Sequence, residues 1–503
     1  MKLYFSTLLL LSMLAITSLS STNSYAGNPH VDAAMKLYKS MEVNKSASLL
    51  IRNIGTNSSL DSIETLKYSL ILNKNYSMYR DVYVKSVENQ RVFLESLVDD
   101  KGKDRSKVAS LFLTEVYIHQ KEFQLAKKQL NEFRKTTGVS DSNKDELSII
   151  SNIYEAWIAL ATNDIQQYNK VSALMDKHNP LTLMALDALQ IIVNNKSDID
   201  LNVIKTAEGK YIENNALISS RFANYAIRIY SHRGELEQAI RIMNILDQKT
   251  PSYIEEITQF KLINFYEPGL IDSVSSFYYT LSKSLLLRLK ADAKYKDMAI
   301  YYLSDLELIS ANKDSAKQYK EEMLQLKRLP KTLASLLSIR QNGHGYLYGK
   351  TTRAYQEWEK AVKNAKNDPA LGAEAILMCV YLDANCPTIV QVAGLKAENG
   401  RSKRFEDLNT NVGRYFLQKK ETIKAMRLLE NALDRGDAGG ILMNDPVLLL
   451  NLAEIYRINK RFSESLQIYF SLGKNFPILR QVQDAVQGEY LFRQRSIGSS
   501  IVF

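Results

Sequence analysis

The chain has 503 residues, 45% of them apolar and 24% charged, with only 20 Gly and 9 Pro. Such a composition excludes a disordered or collagen-like chain and argues against a turn-rich β fold, and the length exceeds what one compact core holds. The formal charge of +10 is dispersed among mixed acids and bases, as at Lys419-Lys420 beside Glu421. It reads as solvated helix faces, with a mild pull toward anionic polysaccharide, and neither nucleic acid nor a nucleotide is an expected partner.

Residues 1–26 have the layout of a cleavable export signal. Lys2 supplies the basic start, Leu8 to Leu14 the apolar core, and Ser24-Tyr25-Ala26 a small-x-small cleavage site. No Cys follows the apolar run, which argues against a lipoprotein. Beyond residue 27 no apolar stretch approaches the roughly 18 residues of a membrane span. The mature chain is therefore expected in the periplasm, with secretion as the second choice.

Residues 27–100 carry helical periodicity without an alignable repeat. From there to about residue 480 the helical period dominates, and period-two alternation is nearly missing. The fold class expected is all-α, with helices of some 12 to 16 residues joined by short turns. Within this run four windows share eight offsets. Starting at Lys107 they hold Ser110, Leu113, Thr114, Tyr117, Phe123, Ala126, Leu130 and Phe133. Starting at Ser220 they hold Ala223, Ala226, Ile227, Tyr230, Leu236, Ala239, Met243 and Leu246. The window at Glu406 gives Asn409, Val412, Gly413, Phe416, Thr422, Ala425, Leu429 and Ala432. The window at Pro446 gives Leu449, Leu452, Ala453, Tyr456, Phe462, Ser465, Tyr469 and Leu472.

This pattern resembles the tetratricopeptide repeat, a 34-residue helix-turn-helix unit. The resemblance implies an α-solenoid of stacked hairpins, in one or two superhelical segments. In it, small residues let two helices approach and large aromatics wedge between neighbours. A closing Pro, such as Pro251 or Pro477, starts the next connection. Residues 145–180 and 299–330 read as helix pairs with decayed positions. In 331–480, Ala354, Trp358 and Ala361 are similar to the related Sel1-type signature. The organisation expected is a leader (1–26), a helical region (27–100), two repeat regions (101–330 and 331–480) and a tail (481–503).

No residue pattern points to catalysis, a metal or a cofactor. The segment "GHGYLYGKTT" (343–352) has the wrong glycine spacing for a phosphate-binding loop. The histidines at 30, 119, 178, 232 and 344 lack metal-ligand spacing. Glu464-Ser465 has the catalytic pair of lytic transglycosylases without the segment expected downstream of it. An oxidising compartment permits a Cys379–Cys386 disulfide, but a continuous helix would hold the pair about 10.5 Å apart, past the usual limit of roughly 7 Å. A chain turn at "DANCP" would bring them together.

Repeats of this kind present one face to a protein or peptide. The resemblance places there Glu115 and His119; Arg221, Asn224, Arg228 and His232; Asp407, Arg414 and Gln418; Glu454 and Arg457. The arginines at 221, 228, 414 and 457 are expected to grip a carboxylate-rich partner. Two functions follow: a non-catalytic scaffold or adaptor for an envelope machine serving secretion, polysaccharide export, pilus or outer-membrane assembly, or a glycan-binding or glycan-acting protein on the same frame.

Overall fold

The computed structural model describes residues 27–39, 43–56, 59–98, 104–137, 146–175, 178–212, 216–248, 268–310, 406–434, 440–441 and 444–475, with scattered positions between 315 and 380. Several expectations lie outside those residues: the leader, the tail, the 343–352 segment, Ala354, Ala361, Pro251, Pro477 and Cys386. The described chain is all-helical. It divides into two compact units, one formed by residues 1–78 with 281–476 and the other by 79–280 with 477–503. None of its described helices is long and apolar enough to cross a membrane.

In the second unit, four helix pairs follow one another. They are α4 (Asp104–His119) with α5 (Phe123–Thr137), α6 (Glu146–Ala161) with α7 (Ile165–Leu174), α8 (Pro180–Asn194) with α9 (Leu201–Tyr211), and α10 (Ala216–His232) with α11 (Leu236–Gln248). The first helices also touch in sequence, α4 on α6, α6 on α8 and α8 on α10. Each therefore lies beside its counterpart in the next pair. Two of these pairs were not among the four aligned windows. The α8 start is nonetheless written locally: Asn179 accepts from the Leu181 N–H, and Pro180 opens the helix, where a missing N–H costs nothing.

One turn geometry recurs throughout. Tyr117, Tyr230, Phe416 and Tyr456 each accept, through their carbonyl, the N–H five residues on, at 2.8 Å from Glu122, Glu235, Glu421 and Arg461. The residue before that donor is left-handed: Lys121, Gly234, Lys420 and Lys460 have φ of 62°, 75°, 62° and 61°. This is a helix-closing motif that satisfies carbonyls the helix would otherwise leave open. The turn after α6 repeats it, with Asn163 at φ 59° and the Asp164 N–H on Ala159 at 2.8 Å. The decayed window at 145–180 thus keeps the turn even though Tyr168 occupies the place where the other windows hold Ala or Ser.

Close approach of the paired helices rests on the small residues. Ala126, Ala239, Ala425, Ala453 and Ser465 are fully buried. A Cβ added to Gly413 would meet Leu429 Cγ at 2.8 Å, so α14 (Glu406–Gln418) and α15 (Thr422–Ala432) touch at a distance only glycine allows. Between α16 (Pro446–Ile458) and α17 (Phe462–Asn475), the Ser465 hydroxyl donates to the Ala453 carbonyl at 2.8 Å. The N-terminal pair, α1 (Pro29–Lys39) and α2 (Val43–Asn53), repeats that contact: Ser46 donates to Ala34 at 2.7 Å, across the same twelve residues. A hairpin of the same kind thus opens the region where no repeat could be aligned.

The wedge aromatics are buried at Tyr117, Tyr230 and Tyr456, and half-buried at Phe416. Two of them use their hydroxyls alike: Tyr117 donates to Glu95 at 3.0 Å and Tyr456 to Glu430 at 2.8 Å. A guanidinium lies over each ring, Arg91 at 5.1 Å and Arg461 at 4.2 Å. The charges around them are swapped. At the residue closing the turn, Glu122 accepts from Arg91 in one, and Arg461 donates to Glu430 in the other, both at 2.9 Å.

Two long helices complete the set: α3 (Ser62–Val98) and α12 (Pro268–Lys290), with α13 (Lys296–Ile309) after the latter. In the first unit, Asn411 and Gln418 of α14 donate to the carbonyls of Ala373 and Val380 at 3.0 and 3.1 Å, each 38 residues back. The equal separation makes those two stretches parallel. Cys379 in the earlier stretch is fully buried and disulfide-bonded.

Replacing Lys121 or Lys420 by Gly should raise stability by about 0.5–1 kcal/mol, because φ near +60° strains any residue with a Cβ, whereas Gly234→Ala should lower it by about 1 kcal/mol. Chemical denaturation followed by circular dichroism measures both. In the same assay Gly413→Val should cost about 2–3 kcal/mol through overpacking. By contrast, Gly209→Ala, in an exposed helical position with open space around it, should add about 0.5–1 kcal/mol.

Candidate functional site: the polar face of the first helices

In the second unit, the face shared by α4, α6, α8 and α10 is polar where it is most buried. Helical spacing sets this up: Arg221, Asn224 and Arg228 stand three and four residues apart on α10, and Glu115 and His119 four apart on α4. Glu115, Arg221, Asn224 and Arg228 are all more than nine-tenths buried, a position charged groups keep only when paired.

The pairing is internal. Arg221 reaches the Glu115 carboxylate at 3.4 Å and donates to the Tyr154 hydroxyl at 3.0 Å, and Tyr154 in turn donates to Glu115. His119 lies 3.8 Å from the other Glu115 oxygen, and its ring meets Trp157 edge-on, centroids 5.0 Å apart. Burial by itself would raise the Glu115 carboxyl. The Arg221 charge, the nearby His119 ring and the hydrogen bond from Tyr154 outweigh it, so the group is held below the usual carboxylate range. Burial drives the Tyr154 hydroxyl well above the ordinary tyrosine value, so it stays a proton donor.

Two further helices close over this face. From α3, Tyr83 shares a hydrogen bond with His119 Nδ1 at 2.9 Å. From the first turn of α12, Asp272 accepts from Arg228 at 2.8 Å and lies 3.8 Å from Arg80 of α3. Ser273 donates to Asn224 at 2.5 Å, and the Gly269 carbonyl faces Arg228 at 3.5 Å. Desolvation would raise Asp272, but Arg228 and then Arg80 pull it below its ordinary value. Beside these groups is a small, partly open recess with space for one or two waters, walled by Trp157, Leu189, Ile192, Tyr225, Asn224 and Arg228.

The remaining expected positions fall out as follows. His232 is half-buried at the end of α10. Arg414, Glu454 and Arg457 are buried in the first unit. Gln418 is exposed, with its amide on the Val380 carbonyl. The side chain of Asp407 lies outside the described residues. Arg221, Asn224, Arg228, Glu115 and His119, the positions that the repeat resemblance named, do come together. That resemblance missed Tyr83 and Arg80 on α3, Tyr154 on α6 and Asp272 on α12, which no pattern in the sequence ties to this face. The arginines at 221 and 228 already hold carboxylates of the chain itself, so an acidic partner meets them as occupied groups. Among the described residues no group of three or more His, Cys, Asp or Glu is arranged to hold a metal.

The two depressed carboxyls fix the acid response. A carboxyl held low in the fold contributes stability that is present above its unfolded value near pH 4 and is lost as pH falls through the folded value. Arg228→Met should therefore destabilise the chain by about 2 kcal/mol at pH 7, less than a fully buried pair costs because Asp272 is about a quarter exposed, with 27% of its side chain accessible. The gap to wild type should narrow below about pH 4. Thermal melts across pH test this; a gap independent of pH would remove Asp272 from the account.

Searched against known protein families, the chain matches no family model, and no curated protein matches it.

Proposed function

We propose that this chain is an exported, tetratricopeptide-like adaptor, in which helix pairs continue one another as an α-solenoid within each unit and the first-helix face receives a protein or peptide in a bacterial envelope. The observation carrying the reading is the recurrence of one closing turn after Tyr117, Ala159, Tyr230, Phe416 and Tyr456, in hairpins whose first helices lie side by side. A row of that kind gathers one polar stripe from successive units, which suits an extended ligand. Residues 1–26 supply the reason for placing it outside the cytoplasm.

The glycan-acting reading finds less support. General-acid catalysis on a glycoside needs a carboxyl raised toward neutrality, and both carboxyls at this face are pulled the other way.

A phosphatase reporter fused after residue 60 should be active only when residues 1–26 are present. A tagged full-length chain, cross-linked in cells, should co-purify a defined envelope protein, and Trp157→Ala with Ile192→Asp, at the recess wall, should reduce that recovery at least fivefold with helicity unchanged. Equal recovery with the double variant would displace the binding face, and an inactive reporter would end the export reading.

A further inference from the structure

The first turn of α12 sits where the repeat would offer its ligand face. Asn224 and Arg228 are two of the four α10 residues that this face would present, and both are engaged by residues 269–273 of the same chain. Asp272 supplies a carboxylate to Arg228 at 2.8 Å, the Gly269 carbonyl approaches it at 3.5 Å, and Ser273 supplies a hydroxyl to Asn224 at 2.5 Å. The approach is close: a Cβ on Gly269 would lie 2.3 Å from the Asn224 amide nitrogen, so the turn or that buried amide would have to shift. The buried Nε of Arg228 has no hydrogen-bond partner, so the guanidinium keeps donor capacity that the turn does not use. The recess next to it is bounded by Gly269, Asn224 and Arg228 themselves.

We infer that the first turn of α12 is a built-in occupant of the α10 face, and that a partner's acidic segment takes the same seat on Arg228 and Asn224 once the turn lifts. This rests on the adaptor reading and deepens it, by naming the partner chemistry and what blocks it. Arg228 is buried and its charge must stay compensated, so the exchange replaces one carboxylate by another and leaves no bare guanidinium. Tethering gives the internal turn a high effective concentration, so the seat is closed to a weak ligand in wild type and opens when the turn is loosened.

The probe is a fluorescein-labelled peptide copying residues 268–280, PGLIDSVSSFYYT, titrated into the full chain and followed by anisotropy. Gly269→Ala, which pushes the turn off Asn224, should bind it at least tenfold more tightly than wild type. Asp272→Asn, which removes the internal carboxylate with little change of shape, should do the same and serves where Gly269→Ala fails to fold. Binding should be lost when Arg228→Gln is added, or when the peptide carries Asn in place of its Asp. In wild type, excess peptide should speed hydrogen exchange of amides 270–274. If folded Gly269→Ala and Asp272→Asn bind the peptide no better than wild type, or bind the Asn peptide equally, the self-occupied seat is refuted. The adaptor reading is judged separately, by cross-linked recovery from the envelope. A partner recovered without any peptide gain sinks only this inference. A peptide gain without a partner sinks only the adaptor.

Discussion

The whole arrangement depends on how closely two helices of a pair can come. At Gly413 the helix surface lies near enough to Leu429 that a single methyl group would collide. At Ser465 and Ser46 a hydroxyl reaches across to the partner helix's carbonyl. Such approach is available only to side chains of alanine size or to a hydroxyl that donates as it packs. Once it is made, the helix directions are set and the chain must reverse within a few residues. The left-handed residue at 121, 163, 234, 420 or 460 does that, while its neighbour closes the open carbonyl.

Placing pairs side by side has an electrostatic consequence. Polar residues that a lone hairpin would leave in water are drawn together and partly dried, and each buried charge then needs a counter-charge. Arg221 finds one on α4 and Arg228 on α12, with Tyr154 and Tyr83 completing the hydrogen bonds of Glu115 and His119. The result is a face whose charges are compensated from within. On the adaptor reading proposed above, recognition on such a face would exchange one compensated contact for another.

The turns show a second economy. The contact around the wedge tyrosine is conserved in geometry while its charges are reversed between Tyr117 and Tyr456. Coulomb attraction is indifferent to which partner carries which sign, so the turn tolerates Glu122 in one hairpin and Arg461 in the other at the same place. In α1 and α2 the Ala34–Ser46 contact is present, but Leu37, Val43 and Leu50 stand where the aligned window has Tyr456, Phe462 and Tyr469, so residue type did not reveal the hairpin.

Period, small-residue spacing and the scarcity of Gly and Pro pointed by themselves to a helical chain and to where four of its hairpins turn, and the repeat resemblance named residues of α4 and α10 for one face. These are local quantities, set by side-chain size and the 3.6-residue repeat. Only the tertiary structure decided what covers that face. Asp272, Tyr83 and Arg80 are 36 to 192 residues from the groups they meet. Nothing in the spacing of a helix encodes which distant helix will dock on it. That choice is made by shape at Gly269 and by the need of a buried guanidinium for a carboxylate.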